Sequence, residues 1–143
     1  MTEVELLYMD LSARTSYGLI CNVYKVDDAG VGWRQLVLTG TYKTDDNEWY
    51  ECYFEGDDNA EIHHIKPYLR RIESLTEKEK AELNSITSLT FDDSRFYTDM
   101  TETVSSYELG KIVQWFNKHH IDYNGLIPRQ IALEAPADMY KFE

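Results

Sequence analysis

Four histidines stand in two adjacent pairs, His63-His64 and His119-His120. They are the side chains best suited to bind a metal or to move a proton near neutral pH. Adjacency works against chelation. Neighbours on a strand point to opposite faces, and neighbours on a helix diverge by about 100°. Helical metal sites use i, i+3 or i, i+4 pairs instead. Each pair is expected to put one ring inside and one in solvent, and no metal or cofactor is expected. The remaining proton-transfer reading makes His119 or His120 a general base beside a carboxylate. Two acidic tracts, Asp45-Asp46-Asn47-Glu48 and Asp57-Asp58-Asn59-Ala60-Glu61, gather oxygens of the kind calcium takes. Neither has the alternating order of a calcium loop, and Asp and Asn are ordinary turn residues because they bond their own backbone. Cys21 and Cys52 fall on inward sides of strands, where a thiol is inert. The chain carries no nucleophile elbow and no phosphate-cradling loop, and Gly30-Val31-Gly32 reads as a hairpin feature. No catalytic residue is assigned.

The elements that would position these groups follow from periodicity. Residues 2–13 read as a helix, with Thr2 and Glu5 at capping-box spacing and an apolar side of Leu6, Leu7, Met9 and Leu11. Residues 18–26 alternate as a strand, with Leu19, Cys21 and Val23 on one face. After a turn or loop over 27–32, a second strand spans 34–42 with Leu36, Leu38 and Tyr42 sharing a face. A third spans 49–55, with Tyr50, Cys52 and Phe54 inside and Glu51, Tyr53 and Glu55 outside; a fourth spans 61–68 and ends at Pro67. Short strands joined by turns describe an antiparallel meander that curls to protect its edges. Leu75 to Leu83 reads as a helix capped by Thr76 and Glu79, buried along a narrow stripe of Leu75, Leu83, Ile86 and Ala81. Ser88 to Phe91 is a candidate strand. Residues 105–119 make the strongest helix, with Leu109, Ile112, Val113 and Phe116 as its core stripe and a serine cap at 105 or 106. Asp122 to Gly125 ends it, and Pro136 closes the folded part.

Charge narrows the partner classes. The formal net charge is −12, and residues 27–61 hold ten acids against Arg34 and Lys43. Such a surface repels a phosphate backbone and an anionic membrane. It suits plain solubility or a basic protein partner. A narrower reading makes the acidic face a mimic of DNA that occupies a DNA-binding protein. No apolar run approaches the roughly 20 residues needed to cross a bilayer. The first residues lack the basic start of an export signal, and two cysteines are too few for a disulfide scaffold, so cytoplasmic residence is expected.

The tract Trp115-Phe116-Asn117-Lys118-His119-His120-Ile121-Asp122-Tyr123 is dense in rings, more than one core is expected to take. Exposed clusters of this kind mark interfaces, whereas burial would pin the helix end to the sheet. Here the sequence resembles a numerous Bacteroides-type family of small, prophage- or mobile-element-like proteins to which no activity is assigned. The family's tract reads W-L-N-x-H-H-F-D-Y-R-G-L-I followed by A-L-E-A-P; this chain has WFNKHHIDYNGLI and then ALEAP. DLSARTSYGL, from Asp10, is similar to its D-L-C-A-R-L-P-Y-G-V, and IKPYLRRIESLTEKEK, from Ile65, to its I-K-P-Y-L-R-P-L-S-S-M-T-E-E-E. Ser12 stands where the family has cysteine, Ile121 for phenylalanine and Asn124 for arginine. The resemblance implies bacterial or phage origin and cytoplasmic residence, and nothing about substrate.

The fold expected is therefore α+β and a single domain over 1–143: an N-terminal helix and a small curled antiparallel sheet or SH3-like barrel over 1–72, with a helical part over 73–143 packed on it. The function expected is that of a non-catalytic protein-binding or accessory protein. Its candidate interaction surface is Trp115, His119, His120 and Tyr123 together with Glu51, Tyr53 and Glu55. The partner expected is a protein, with neither nucleic acid nor membrane. An enzyme of unrecognised class is the alternative.

Overall fold

The computed structural model describes residues 1–28, 30–86 and 105–141, together with the backbone of 90–92 and 95–97. The elements in chain order are α1 (Glu3–Ser12), β1 (Ile20–Asp27), β2 (Gly30–Lys43), β3 (Tyr50–Phe54), β4 (Asp58–Glu61), β5 (Ile65–Leu69), α2 (Glu77–Ile86), β6 (Thr90–Asp92), β7 (Arg95–Tyr97), α3 (Ser106–Lys118) and β8 (Leu133–Glu134). Six strands form one sheet in the order β4-β3-β2-β1-β5-β8, antiparallel except for β5 and β8, while β6 and β7 pair separately. This is the α+β arrangement the periodicity predicts. The sheet is open: among the described residues its outer strands β4 and β8 do not pair, so the barrel alternative is not the one adopted. It is nonetheless curled. β1 and β4 would stand about 14 Å apart in a flat sheet, yet Lys25 Nζ reaches Asp58 Oδ1 at 2.6 Å.

α1 starts as its sequence dictates, with Thr2 accepting the Glu5 N–H at 3.1 Å and Glu5 accepting the Thr2 N–H at 3.3 Å. Leu7 and Leu11 are buried against the sheet, whereas Met9 is exposed. On the sheet's inner face Leu19, Cys21, Val23, Leu38, Tyr50, Cys52 and Phe54 are buried, as their alternation requires. Residues 27–32, read as a loop, are mostly strand, because β1 and β2 pair as far as Asp27 and Gly30. Tyr42 is not on the face of Leu38. Between Leu38 and Gly40 the register with β3 slips by one residue, and a bulge of this kind flips every later side chain. Thr41 therefore turns inward, where its hydroxyl meets Ser12 at 2.8 Å, and Tyr42 turns out. The fourth strand begins later than expected, after a 3-10 turn at Ile62–His64, and runs through Pro67 to Leu69.

The helices build a second core of Leu75, Leu83, Ile112, Trp115, Phe116 and Ile121. The expected stripe of α3 is half right. Ile112 and Phe116 are buried, but Leu109 and Val113 are 52% and 40% exposed. At 100° per residue, the buried side is rotated by about 60° toward Trp115 and His119, whose large flat rings take the contact with α2. Ala81 of α2 is exposed. Of the candidate strand at 88–91, Thr90 and Phe91 lie in β6, and Ser88 and Leu89 fall outside the described residues.

α3 ends in a Schellman turn. The Ile121 N–H bonds the Phe116 carbonyl at 2.9 Å, the His120 N–H bonds Asn117 at 3.3 Å, and His120 takes the left-handed position at φ 61°. The stop thus falls on His120, five residues before Gly125. Beyond it the Asp122 carboxylate accepts the N–H groups of Leu126 and Ile127, each at 2.8 Å, and Leu126, Ile127 and Ala132 join the sheet's core. Pro136 does not close the fold: the Tyr140 hydroxyl accepts the Ile20 N–H at 2.9 Å and donates to the Tyr68 carbonyl at 2.8 Å.

Candidate functional site

Two places gather chemistry. The first is where the ends of α1, β5 and α3 meet. Asp10 and Arg14, one turn apart on α1 and just beyond its end, are fully buried. Arg14 Nε and Nη2 bond the two Asp10 oxygens at 3.0 Å each, and Nη2 also reaches the Ile121 carbonyl at 2.7 Å. Asn124 Nδ2 donates to Asp10 at 2.9 Å, and the guanidinium lies 5.2 Å from the Tyr123 ring centre. Alongside, Arg70 grips Glu79 through two bonds of 2.8 and 2.7 Å, while Thr76 and Glu79 complete the capping box of α2. Burial alone would raise the Glu79 carboxyl. The Arg70 fork and the Thr76 N–H and hydroxyl outweigh it and hold the group at about 2.

A cleft of about 340 Å³ opens beside this knot, walled by Arg70, Arg71, Lys78, Glu79, His119 and Tyr140 among others. His119 stacks on Trp115 with ring centres 3.9 Å apart. Its Nδ1 lies 3.5 Å from Glu79 Oε2 and its Nε2 3.9 Å from Glu82 Oε1. Burial pushes its pKa down, against the upward pull of the two carboxylates. His120 is pushed down to about 3, by burial first and then by Arg14 and His119. Most of the cleft's charged groups have partners: Arg70 holds Glu79, Arg71 Nε meets Glu134 at 3.0 Å, and the Trp115 indole N–H donates to Glu82 at 3.0 Å.

The second place is the outer face of β2 and β3. Tyr42, Trp49 and Tyr53 are 49%, 45% and 39% exposed. Glu51 stands between them, directly opposite Tyr42 on β2 and directly opposite Glu61 on β4. Tyr53 is the cross-strand partner of Gly40, and a Cβ there would meet its ring at an ordinary contact distance of 3.6 Å. Its hydroxyl donates to Glu51 at 3.3 Å. Further along the same face Tyr24 and Trp33 form an edge-to-face pair 5.4 Å apart.

The residues proposed from sequence as one interaction surface separate here. Trp115, His119 and His120 are buried and Tyr123 is half-buried against Phe116, because the helix end packs under the turn that follows it. That half of the surface is interior. Glu51, Tyr53 and Glu55 lie on the outer side, Tyr53 and Glu55 exposed and Glu51 partly so. The histidine pairs do not split one in, one out. His63 and His64 are both exposed on their 3-10 turn, and His119 and His120 are both buried in a helix stop that turns the chain back into the core. Among the described residues no three His, Cys, Asp or Glu side chains are grouped to hold a metal. The first acidic tract is a turn, where Asp46 accepts from the Thr44 hydroxyl at 2.6 Å and from the Glu48 N–H at 3.1 Å; the second is mostly strand, because Asp58–Glu61 form β4 and pair with β3. Burial raises both thiols, Cys52 to about 12. Tyr42 does not share the face that alternation with Leu36 and Leu38 predicts; a glycine inside the strand, Gly40, is the signal that points to a bulge. No protein-family profile, curated protein or solved structure matches the chain.

Proposed function

We propose that this is a non-catalytic protein-binding or accessory protein of the cytoplasm, of prophage or mobile-element type, whose contact surface is the outer face of β2 and β3. One observation carries the reading: two large rings, Tyr42 and Tyr53, stand in water on the same side of two paired strands, and Trp49 is exposed immediately before β3. Rigid aromatic side chains supply most of the energy of protein contacts at little entropic cost. The cleft supports the reading from the other direction, since Arg70 with Glu79 and Arg71 with Glu134 pair across three chain segments and so serve to hold those segments together. Two buried, unpaired thiols and the absence, among the described residues, of any helix long and apolar enough to cross a membrane are in keeping with that location.

The test is capture by immobilised protein from cells that express it, comparing the wild type with a Tyr42→Ser/Trp49→Ser variant. Both positions are exposed, so the variant keeps its far-UV signal and melting temperature. A partner held by the wild type and lost by the variant is the expected result. An unchanged set of captured proteins overturns the assignment of this face.

A second reading rests on His119, which sits within 4 Å of two carboxylates at the wall of a 340 Å³ cleft. This geometry suits a general base, or the recognition of a small polar ligand. Ligand-dependent shifts of the His119 ring resonances that are absent from those of His63 and His64 would favour it.

A further inference from the structure

We infer that the outer face of β2 and β3 recognises a basic polypeptide, docking arginine or lysine side chains between its rings and its carboxylates. The inference rests on the reading that this face binds protein, and it names the partner's chemistry. Three observations converge on it. The exposed rings of Tyr42, Trp49 and Tyr53 present π-faces, and a guanidinium or ammonium group is attracted to such faces within about 6 Å. The carboxylates are interleaved with the rings. Glu51 follows Trp49 and precedes Tyr53 at strand spacing, and it faces Tyr42 across the β2–β3 pair. Finally, Glu51 and Glu61 are direct cross-strand partners on this outer side. Like charges directly opposite in a sheet destabilise it. Among the described residues Glu51 is bonded by the neutral Tyr53 hydroxyl at 3.3 Å and by no cation, and the cation beside Glu61 is His63 at 3.6 Å, which is charged only when protonated. A cation brought by a partner relieves a repulsion that the fold retains.

The wider charge pattern selects the same occupant. Between residues 43 and 61 there are eight acids against Lys43. A nucleic-acid backbone or an anionic membrane is repelled. A second copy of the chain, itself at −12, would meet its own field. A basic segment is steered in by this field and then held by short-range ring contacts that salt screens much less than the long-range field.

The experiment uses the full chain and a fluorescein-labelled octa-arginine peptide, followed by anisotropy at physiological salt, with octa-lysine and octa-glutamate peptides alongside. Three variants separate a built site from diffuse charge. Tyr42→Ser/Tyr53→Ser removes rings at constant charge. Glu51→Gln/Glu61→Gln removes the facing carboxylates. Glu73→Gln/Glu77→Gln removes the same charge from the 3-10 turn at Ile72–Ser74 and the first residue of α2, outside the sheet. The expected result is at least tenfold weaker binding of octa-arginine in each of the first two variants and less than a twofold change in the third. A second expectation is a higher melting temperature for Glu51→Gln, because the cross-strand repulsion is gone. Equal losses in the two Glu→Gln variants, unaltered binding in the ring variant, or no binding by the wild type would each overturn the inference. If the wild type instead captures an acidic or neutral protein that Tyr42→Ser/Trp49→Ser loses, the basic partner falls and the binding face stands. If that variant loses nothing, the binding face falls as well.

Discussion

Replacing Arg14 by methionine should be among the most damaging single changes available to this chain. The guanidinium is fully buried and makes two 3.0 Å bonds to Asp10, one of 2.7 Å to the Ile121 carbonyl and a longer one to Phe116. Methionine fills much of the volume and supplies none of the donors. Asp10, itself 1% exposed, keeps the Asn124 amide as its remaining side-chain donor, and the Ile121 carbonyl loses its Arg14 bond. Removing one member of a buried pair costs about 3–5 kcal/mol, because the other charge stays buried without compensation. That is a large share of the roughly 5–15 kcal/mol that holds a domain of this kind folded. A chain of this length loses about 3 °C of melting temperature per kcal/mol, so a fall of about 10–15 °C is expected. Urea denaturation of Arg14→Met, Asp10→Leu and the double variant measures the coupling directly. The double variant should be more stable than Arg14→Met, since it removes the stranded charge as well as its partner. A loss below about 1 kcal/mol in Arg14→Met, or a double variant less stable than Arg14→Met, would refute the reasoning.

Two further outcomes follow from the same contacts. His120 is held down to about 3 from an ordinary 6.5, so the unfolded chain takes a proton as pH falls through 6.5 while the folded chain does not until about 3, and stability drains over that window. Glu79, at about 2 against 4.5, drains it further below pH 4.5. Unfolding free energies from urea titrations between pH 7 and 4 should therefore decline by up to about 1.4 kcal/mol per pH unit for each such group. His120→Asn, which tolerates the left-handed backbone, should flatten the decline between pH 6.5 and 4.5; an unaltered slope would show that His120 is not the group responsible. Tyr140→Phe deletes the hydroxyl that joins Ile20 to Tyr68 and should cost about 1–3 kcal/mol in chemical denaturation. A loss near zero would mean that the end of the chain is not anchored there.

Much of the architecture was legible along the chain because it is written in local terms. Thr2 with Glu5 and Thr76 with Glu79 mark helix starts through bonds that span three residues, and both capping boxes are present. Leu19, Cys21 and Val23, then Tyr50, Cys52 and Phe54, alternate with polar neighbours, and period two alone assigns them to the inner face. Even Glu51 and Tyr53 are placed outward by parity. What periodicity could not supply is anything that depends on a second segment. The slip between Leu38 and Gly40 exists only in the pairing of β2 with β3, and it decides that Tyr42 joins the outer rings. The helix stop at His120 depends on the chain returning along Arg70, whose N–H bonds the His120 carbonyl at 2.7 Å, and that return draws two histidines and Trp115 inside. The three stretches that begin at Asp10, Ile65 and Trp115 are far apart in sequence, yet Asp10 and Arg14, Arg70 and Glu79, and His119 to Asn124 meet in one knot. Side-chain type and spacing determined which face of each element is apolar. Which faces then meet, and so which polar groups are buried together and which rings remain in water, is a matter of long-range pairing, decided only when the folded chain satisfies all its buried bonds at once.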